Sequence, residues 1–455
     1  MNEEMTMLYH EIVQLLEEKK FAKLRELLVE TKPVDIAEAM EEMGEDEPEN
    51  TILMFRMLPK DLAAEVFSYL SAPEQRSIVG ALHENQLKHI VEELNFDDKI
   101  DFLEEMPANV VKRILRNITD EERTLINQFL NYPEDSAGSL MTIEYIDLKK
   151  EMSVNEALHH IRTTGVDKET IYTCYVLNET RKLEGIISLR KLVLADGDVL
   201  IGDIMDEDLI FTTTWDDQEE VAAVFKKYDL MTLPVVDREN RLVGIITIDD
   251  IVDVIEQENT EDFEKMAALL PGEEEYLDAG IFDMAKKRIP WLLILMISAT
   301  FTGSIISRFE DVLQAVVVLA AAIPMLMDTA GNAGNQSSTL VIRGIALGEI
   351  ELKDYLQVLW KEFRISVLVG LMLGLVNLGR MIFIVRTTWL VALTVSFTLS
   401  LTVVMAKIFG GLMPIIAKKM KLDPAIMAGP LITTIVDAIA LIVYFNIASL
   451  ILGLH

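Results

Sequence analysis

The stretch "AGPLITTIVDAIALIVYF", residues 428–445, decides how the chain is read. It is apolar or small throughout, except for Thr433, Thr434 and one acid, Asp437. A run of this length and character reads as a membrane-spanning helix. A carboxylate placed in hydrocarbon costs at least ~2.5–3.5 kcal/mol on insertion scales. Spacings of three and four put Pro430, Thr433, Thr434 and Asp437 on one helix face. An acid kept there marks an ion path, the alternative being an Asp satisfied by a neighbouring helix.

Outward from this stretch, the last 169 residues repeat its character. Charge-free or nearly charge-free runs occupy 289–307, 312–342 (broken only by Asp328), 365–379, 387–406 and 424–454. Five spans are therefore expected. Within the second lies "DTAGNAGNQSS" (328–338), where Gly331 and Gly334 weaken a helix and Asn332, Asn335 and Gln336 bring amides to membrane depth. Non-helical backbone is expected there, lining a watery path or forming a polar re-entrant turn. Lys407 is expected to snorkel from a span end. With no other base deep in a span, the path suits cations. Basic residues set orientation: Lys286, Lys287, Arg288, Arg343, Lys353, Lys361, Arg364, Lys418, Lys419 and Lys421 fall on one side, and Arg308, Arg380 and Arg386 on the other. That asymmetry places the amino-terminal domains in the cytoplasm and the carboxy-terminus outside, in a multi-pass plasma-membrane protein.

The remainder of the 455 residues is of another kind. The net charge is −33, yet residues 1–286 hold 65 acids against 28 bases, and residues 287–455 hold 9 against 13. So acidic a front half argues against nucleic acid and for cations. The single cysteine, Cys174, excludes an internal disulfide, and the acidic start "MNEEMTMLYHEIVQ" does not read as a signal peptide. Leu58, Leu70, Leu82, Leu94, Met106 and Ile118 recur every twelve residues, which predicts short helices stacked as a solenoid. Then "RKLEGIISLRKLV" (181–193) matches "NRLVGIITIDDIV" (240–252) at an offset of 59. Each copy reads as a strand ending in Ser or Thr that caps a helix. Arg190-Lys191 of the first copy becomes Asp249-Asp250 in the second, which turns a potential anion site into a potential cation site, the alternative being first-turn acids favoured by the helix dipole.

The run "DDIVDVIEQENTEDFEKM" (249–266) continues towards the first span with Asp250, Asp253, Glu258, Glu261 and Asp262 on a long helix. Two unit charges ~6 Å apart at an effective dielectric of ~20 repel by about 3 kcal/mol. Such acidic faces separate unless cations hold them together. No zinc-spaced His/Cys cluster is present, and no P-loop, dinucleotide fingerprint or nucleophile triad, so no enzyme is expected.

Together these features resemble the MgtE family of magnesium transporters, on "YPEDSAGSLMT" (132–142), the paired CBS-type repeats, "PMLMDTAGNAGNQSSTLVIR" (324–343) and "LDPAIMAGPLITTIVD" (422–437). The resemblance implies a homodimer in the lipid membrane whose Asp437 carboxylates hold a hydrated Mg²⁺ in the pore, with Asp423 at the cytoplasmic mouth. It implies that Glu258, Glu261 and Asp262 belong to a gating plug helix. It makes Asp217, Glu219, Asp229, Asp250 and Asp253 acids that bind regulatory Mg²⁺, with Glu65, Asp97 and Asp101 of the solenoid as their partners. Asp328, Gly331, Asn332, Gly334, Pro430, Thr433 and Thr434 are the other candidate pore-lining residues. CBS-type pairs often bind adenosine nucleotides, and Arg190 and Asp249 lie near where one would sit.

The expected architecture is a multidomain membrane protein. An all-α solenoid (1–131) is followed by an α/β CBS pair (132–257), a connecting plug helix (258–285) and a five-helix transmembrane domain (286–455). The expected function is a Mg²⁺-selective, channel-like transporter closed by cytosolic Mg²⁺. A broader divalent-cation or cation–proton exchanger, and a membrane-tethered CBS sensor that transports nothing, stay open at this point.

Overall fold

The computed structural model describes residues 3–44, 48–116, 118–272, 276, 279–427 and 429–453. The chain divides into two compact parts, residues 1–255 and 256–455.

The first part begins with short helices whose spacing follows the twelve-residue period. Helices Lys60–Ser68, Ala72–Ala81, Glu84–Glu93, Phe96–Glu104, Ala108–Leu115 and Asp120–Phe129 start from N-cap residues Pro59, Ser71, His83, Asn95, Pro107 and Thr119. The apolar residue just before each N-cap, from Leu58 to Ile118, is buried. The period therefore records the turns: one buried anchor, one cap, then one amphipathic helix too short to be stable alone. Edge-to-face contacts of Phe67 with Phe55 and Phe102, and of Phe129 with Phe96, tie together helices of the stack. The expected solenoid is present.

The CBS pair consists of two three-stranded sheets with the same topology. β1 (Ile146–Leu148) runs parallel to β2 (Thr173–Leu177), which pairs antiparallel with β3 (Leu183–Ser188). β4 (Thr212–Thr213), β5 (Thr232–Val236) and β6 (Leu242–Thr247) repeat the order. Even the registers agree: Thr173 faces Ser188, and Thr232 faces Thr247. The matched glycines have one cause. A Cβ on Gly185 would lie 2.5 Å from Met205 Sδ, and one on Gly244 2.7 Å from Met141 Sδ. Tyr175 ties the copies by donating its hydroxyl to Thr232 Oγ1 at 2.9 Å.

The helix after β6 corrects an expectation. It runs Ile248–Met266, so the connecting helix expected over 258–285 begins ten residues earlier and stops nine residues into that range. Pro271 and Gly272 follow, and helix resumes at Ile281. Proline lacks the amide hydrogen that a continuing helix needs. Residues 273–275, 277 and 278 of the expected range lie outside the described residues.

Among the described residues, the second part contains five helices long and apolar enough to cross a membrane: Ile281–Arg308, Val317–Ala346, Leu352–Val385, Trp389–Lys419 and Pro424–Leu452. The second span is an unbroken helix through 328–338, and the expected non-helical segment is absent from it. In hydrocarbon a helix satisfies its own backbone groups, and here the glycines serve close packing instead. A Cβ on Gly334 would lie 3.3 Å from the Ala406 carbonyl of the fourth span, and one on Gly410 would collide with the Gly334 carbonyl. The third span also begins well before the apolar run 365–379, and Glu362 is buried within it.

Candidate ion path and regulatory acids

Asp437 sits on the fifth span, half-buried, and its Oδ1 is buried without a hydrogen-bond partner. A carboxylate oxygen withdrawn from water and left unpaired is costly, so the site suits a cation or its hydration water. Gly331 of the second span lies opposite. A Cβ there would stand 3.6 Å from Asp437 Oδ1 and 2.7 Å from Thr433 Cγ2. Glycine at 331 thus keeps space open beside the acid. Thr433 and Thr434 donate their hydroxyls to the carbonyls of Gly429 and Pro430, at 2.9 and 2.7 Å. Their oxygens keep lone pairs for water, and with Pro430 they are half-buried. Asp328 and Asn332 are exposed on the second span, and the Asn332 amide donates to Asp328 Oδ1 at 3.3 Å. Gly334 differs from these, being buried against the fourth span and Val436.

Asp423 precedes the fifth span. Its Oδ1 accepts from the Ala425 amide at 2.8 Å, and its Oδ2 pairs with Lys265 at 2.6 Å. Lys265 lies in the last turn of helix Ile248–Met266 and also pairs with Glu261 at 2.5 Å. Against the desolvation that lowers it, these hydrogen bonds hold the Lys265 ammonium well above its usual range. Asp262 on the same helix is raised to about 6, by burial first and then by the Asp423 charge. Glu258 is half-buried one turn earlier. Gly429, at φ +50°, lies where any Cβ would collide with the Met266 carbonyl. The expected mouth acid and plug acids are therefore neighbours, with a lysine among them that the sequence reading left out.

In the first part, Asp97 and Asp250, 153 positions apart in sequence, come close enough for their charges to interact. Thr247 donates its hydroxyl to Asp250 Oδ2 at 2.8 Å, so the residue expected to cap the helix of the second repeat holds this acid. Asp250 is raised to about 7, chiefly by desolvation and then by Asp97. Asp98 rises to about 7, and Asp101 and Glu169 each to about 8, again by desolvation first and then by Asp97 and other acids. Asp97 is raised as well, with Asp249 contributing. Asp98 and Glu169 are missed by the sequence reading. The doubled acid in "FDDKID" hinted at the first, but nothing local marks the second.

Other expected acids stand apart. Asp217 caps helix Gln218–Tyr228, its Oδ1 accepting from the Glu219 amide at 2.9 Å, whereas Asp229 closes the far end in the left-handed conformation at φ 52°. An α-helix of eleven residues is ~16 Å long, so Asp217 and Glu219 cannot share one ion with Asp229. Asp253 is exposed one turn beyond Asp250, and Glu65 is exposed on helix Lys60–Ser68, three repeats before Asp97. Among the described residues no three carboxylate, imidazole or thiol side chains form a ready metal cage. Mg²⁺ dehydrates reluctantly and is held through one or two carboxylates and its waters, so paired acids fit it and a dense cage is not required.

Known proteins match this arrangement from end to end. The MgtE family, described as divalent cation transporters, matches residues 323–447; the MgtE intracellular N domain matches 31–135; and CBS domains match 137–198 and 201–257. The magnesium transporter MgtE of Thermus thermophilus is 37% identical over 443 residues, covering 96% of this chain and 97% of its own. The magnesium transporter MgtE of Bacillus subtilis is 34% identical over 455 residues, covering 96% of each. A solved structure of the cytosolic domain of the Mg²⁺ channel MgtE in complex with ATP is 38% identical. It superposes with a TM-score of 0.51 over 54% of this chain and 99% of its own. A transporter and not an enzyme, the chain belongs to the MgtE family of magnesium transporters.

Proposed function

We propose that the protein is a Mg²⁺-selective, channel-like transporter that closes when cytosolic Mg²⁺ binds its acidic domains. The observation that carries the conducting half is the buried, unpaired Oδ1 of Asp437 beside Gly331. Asp437, together with its counterpart in a second copy, holds the hydrated ion, and Thr433, Thr434, Pro430 and Asp328 line the approach. Residues 286–455 form the conducting domain in the lipid membrane, with the carboxy-terminus outside. Residues 1–131 and 132–257 form the cytoplasmic solenoid and CBS pair.

The regulatory half rests on Asp97, Asp98, Asp101, Asp250 and Glu169, which burial raises first and neighbouring acids raise further. Divalent ions bound between such acids favour the compact form by RT ln(1 + [L]/Kd) at each site, ~2.7 kcal/mol at ~100 Kd. Moving a two-state gate from mostly open to mostly closed needs roughly 5.5 kcal/mol, which two or more such sites supply. Glu258, Glu261 and Asp262 carry the change to Asp423 at the mouth. An adenosine nucleotide binds at the CBS pair near Arg190 and Asp249, a reading supported by the ATP complex of the solved relative.

The test is Mg²⁺ flux into proteoliposomes, with and without a proton gradient. Flux that saturates with Mg²⁺ and ignores the gradient is expected. Flux that requires the gradient would convert the reading to a cation–proton exchanger, and absence of flux would leave a membrane-tethered sensor.

A further inference from the structure

The four residues Asn335, Gln336, Ser337 and Ser338, one turn of the second span, all reach partners outside that span. Asn335 Oδ1 accepts from the Gly429 amide at 2.9 Å, and Ser338 donates to the Met427 carbonyl at 2.8 Å, both at the entry to the fifth span. Gln336 Oε1 accepts from Lys407 of the fourth span at 3.4 Å. Ser337 donates to Glu362 Oε2 of the third span at 2.6 Å and accepts from Lys407 Nζ at 3.4 Å. Contrary to the expectation from sequence, Lys407 does not snorkel. It is 6% exposed, Glu362 is 7% exposed and Ser337 is 1% exposed.

This arrangement is a built one. A hydroxyl-to-carboxylate distance of 2.6 Å fits the strong bond that an ionised acceptor makes. Lys407, Gly410 and Gly411 are spaced by three and four, so they share one helix face. Gly410 lets the Gly334 carbonyl approach, and Gly411 leaves room for the Glu362 stem, since a Cβ there would lie 3.0 Å from Glu362 Cγ. The fourth span is thus shaped to receive both the backbone of the second and the acid of the third. Within the described residues, Lys407 and Glu362 make no direct ion pair; Ser337 joins them.

We propose that Lys407, Ser337 and Glu362 form a buried clasp that positions the second span, and with it Gly331 opposite Asp437, for conduction. It rests on the reading of Asp437 as the pore acid, but the residues of the clasp do not touch the ion. They act through the helix that carries the path wall. Removing one charge strands the other in a low-dielectric interior, whereas removing both leaves neither stranded.

The experiment is a double-mutant cycle in the full chain: Glu362→Gln, Lys407→Met, and both together, with Mg²⁺ flux measured in proteoliposomes. Each single change is expected to lower maximal flux about tenfold or more. The Mg²⁺ concentration at half-maximal flux should stay within about twofold, because no group on the ion has changed. The double variant should recover to within about threefold of the parent. Where a single variant accumulates poorly, thermal unfolding of the detergent-purified protein supplies the same cycle, with the same expected recovery.

Singles with parental flux would overturn the proposal. So would a double variant as impaired as the worse single, or a shift in half-saturation equal to the loss in maximal flux. Parallel measurement of Asp437→Ala separates the two readings: an unaffected Asp437→Ala removes the pore acid, and the cycle still decides whether the clasp exists.

Discussion

The acids of the two halves are held in opposite ways. In the first part Asp97, Asp98, Asp101, Asp250 and Glu169 crowd one another, and each charge that bears on their protonation is another acid. From the first span onward the acids are dispersed and mostly answered singly. Asp423 has Lys265, Glu362 has Ser337, and among the described residues there Asp437 alone keeps an unpaired buried oxygen. Crowded acids without a base are stable only when something positive arrives from outside, which is a way to sense a cation. A lone unpaired acid beside a gap is a way to pass one.

The comparison is broken most severely at Asp437. Asp437→Ala should reduce Mg²⁺ flux by ~100-fold or more while the purified protein keeps its thermal midpoint, since the loss falls on the conducted ion and not on packing. Parental flux in a folded variant would place Asp437 among the answered acids.

The crowded acids give the next largest effect. With Asp250→Asn and Asp253→Asn together, the Mg²⁺ midpoint for protease protection of residues 255–285 should rise roughly three- to tenfold. A midpoint equal to or below the parent's would mean that repulsion and not bridging controls closure.

A pH dependence sharpens the same point. Asp101 and Glu169 titrate near 8 and Asp98 and Asp250 near 7 in the folded chain, well above unfolded carboxyls. The folded state therefore binds more protons, and stability falls as pH rises from the unfolded value through the folded one. In chelator, the first calorimetric transition of the full chain should come several degrees higher at pH 5.5 than at pH 8.5. Asp101→Asn should flatten that slope, and saturating Mg²⁺ should abolish it. A transition that rises with pH in chelator would contradict the crowding.

The smallest effect is expected at Lys265. Its ion pairs are partly exposed, where such contacts are worth ~0–1 kcal/mol. Lys265→Met leaves Asp423 and Glu261 without an internal counter-charge, so closure should need about twofold less Mg²⁺, read by the same protease titration. A rise in the midpoint would make Lys265 a strut of the closed form and not a rival of the ion.

How much of this was legible follows from what is local. The twelve-residue period and the 59-residue offset were readable because caps, buried anchors and paired strands repeat within short windows. Asp437 stood out because its neighbours in sequence are all apolar. Lys407 and Glu362 did not, since hydropathy weighs each against its own flanks, whereas Ser337 joins them only after three spans have packed. The glycines of 331–334 misled for the same reason. Their low helix propensity is a local property, and the close approach of the fourth span that requires them is not. Glu169 joins Asp97 and Asp250 from a separate loop, which no spacing announces.

The N-caps at 59, 71, 83, 95, 107 and 119 also set a ruler. One residue inserted in a helix turns all that follows by ~100° and moves every later anchor off the core side. Twelve inserted at a turn add one step and leave the rest in phase, because each repeat leans only on its neighbours. The amino-terminal half can therefore lengthen or shorten only in whole steps. Asp97 and Asp101 lie on the fourth helix of this run, so any change in its length before them leaves their surroundings intact only when it is counted in twelves.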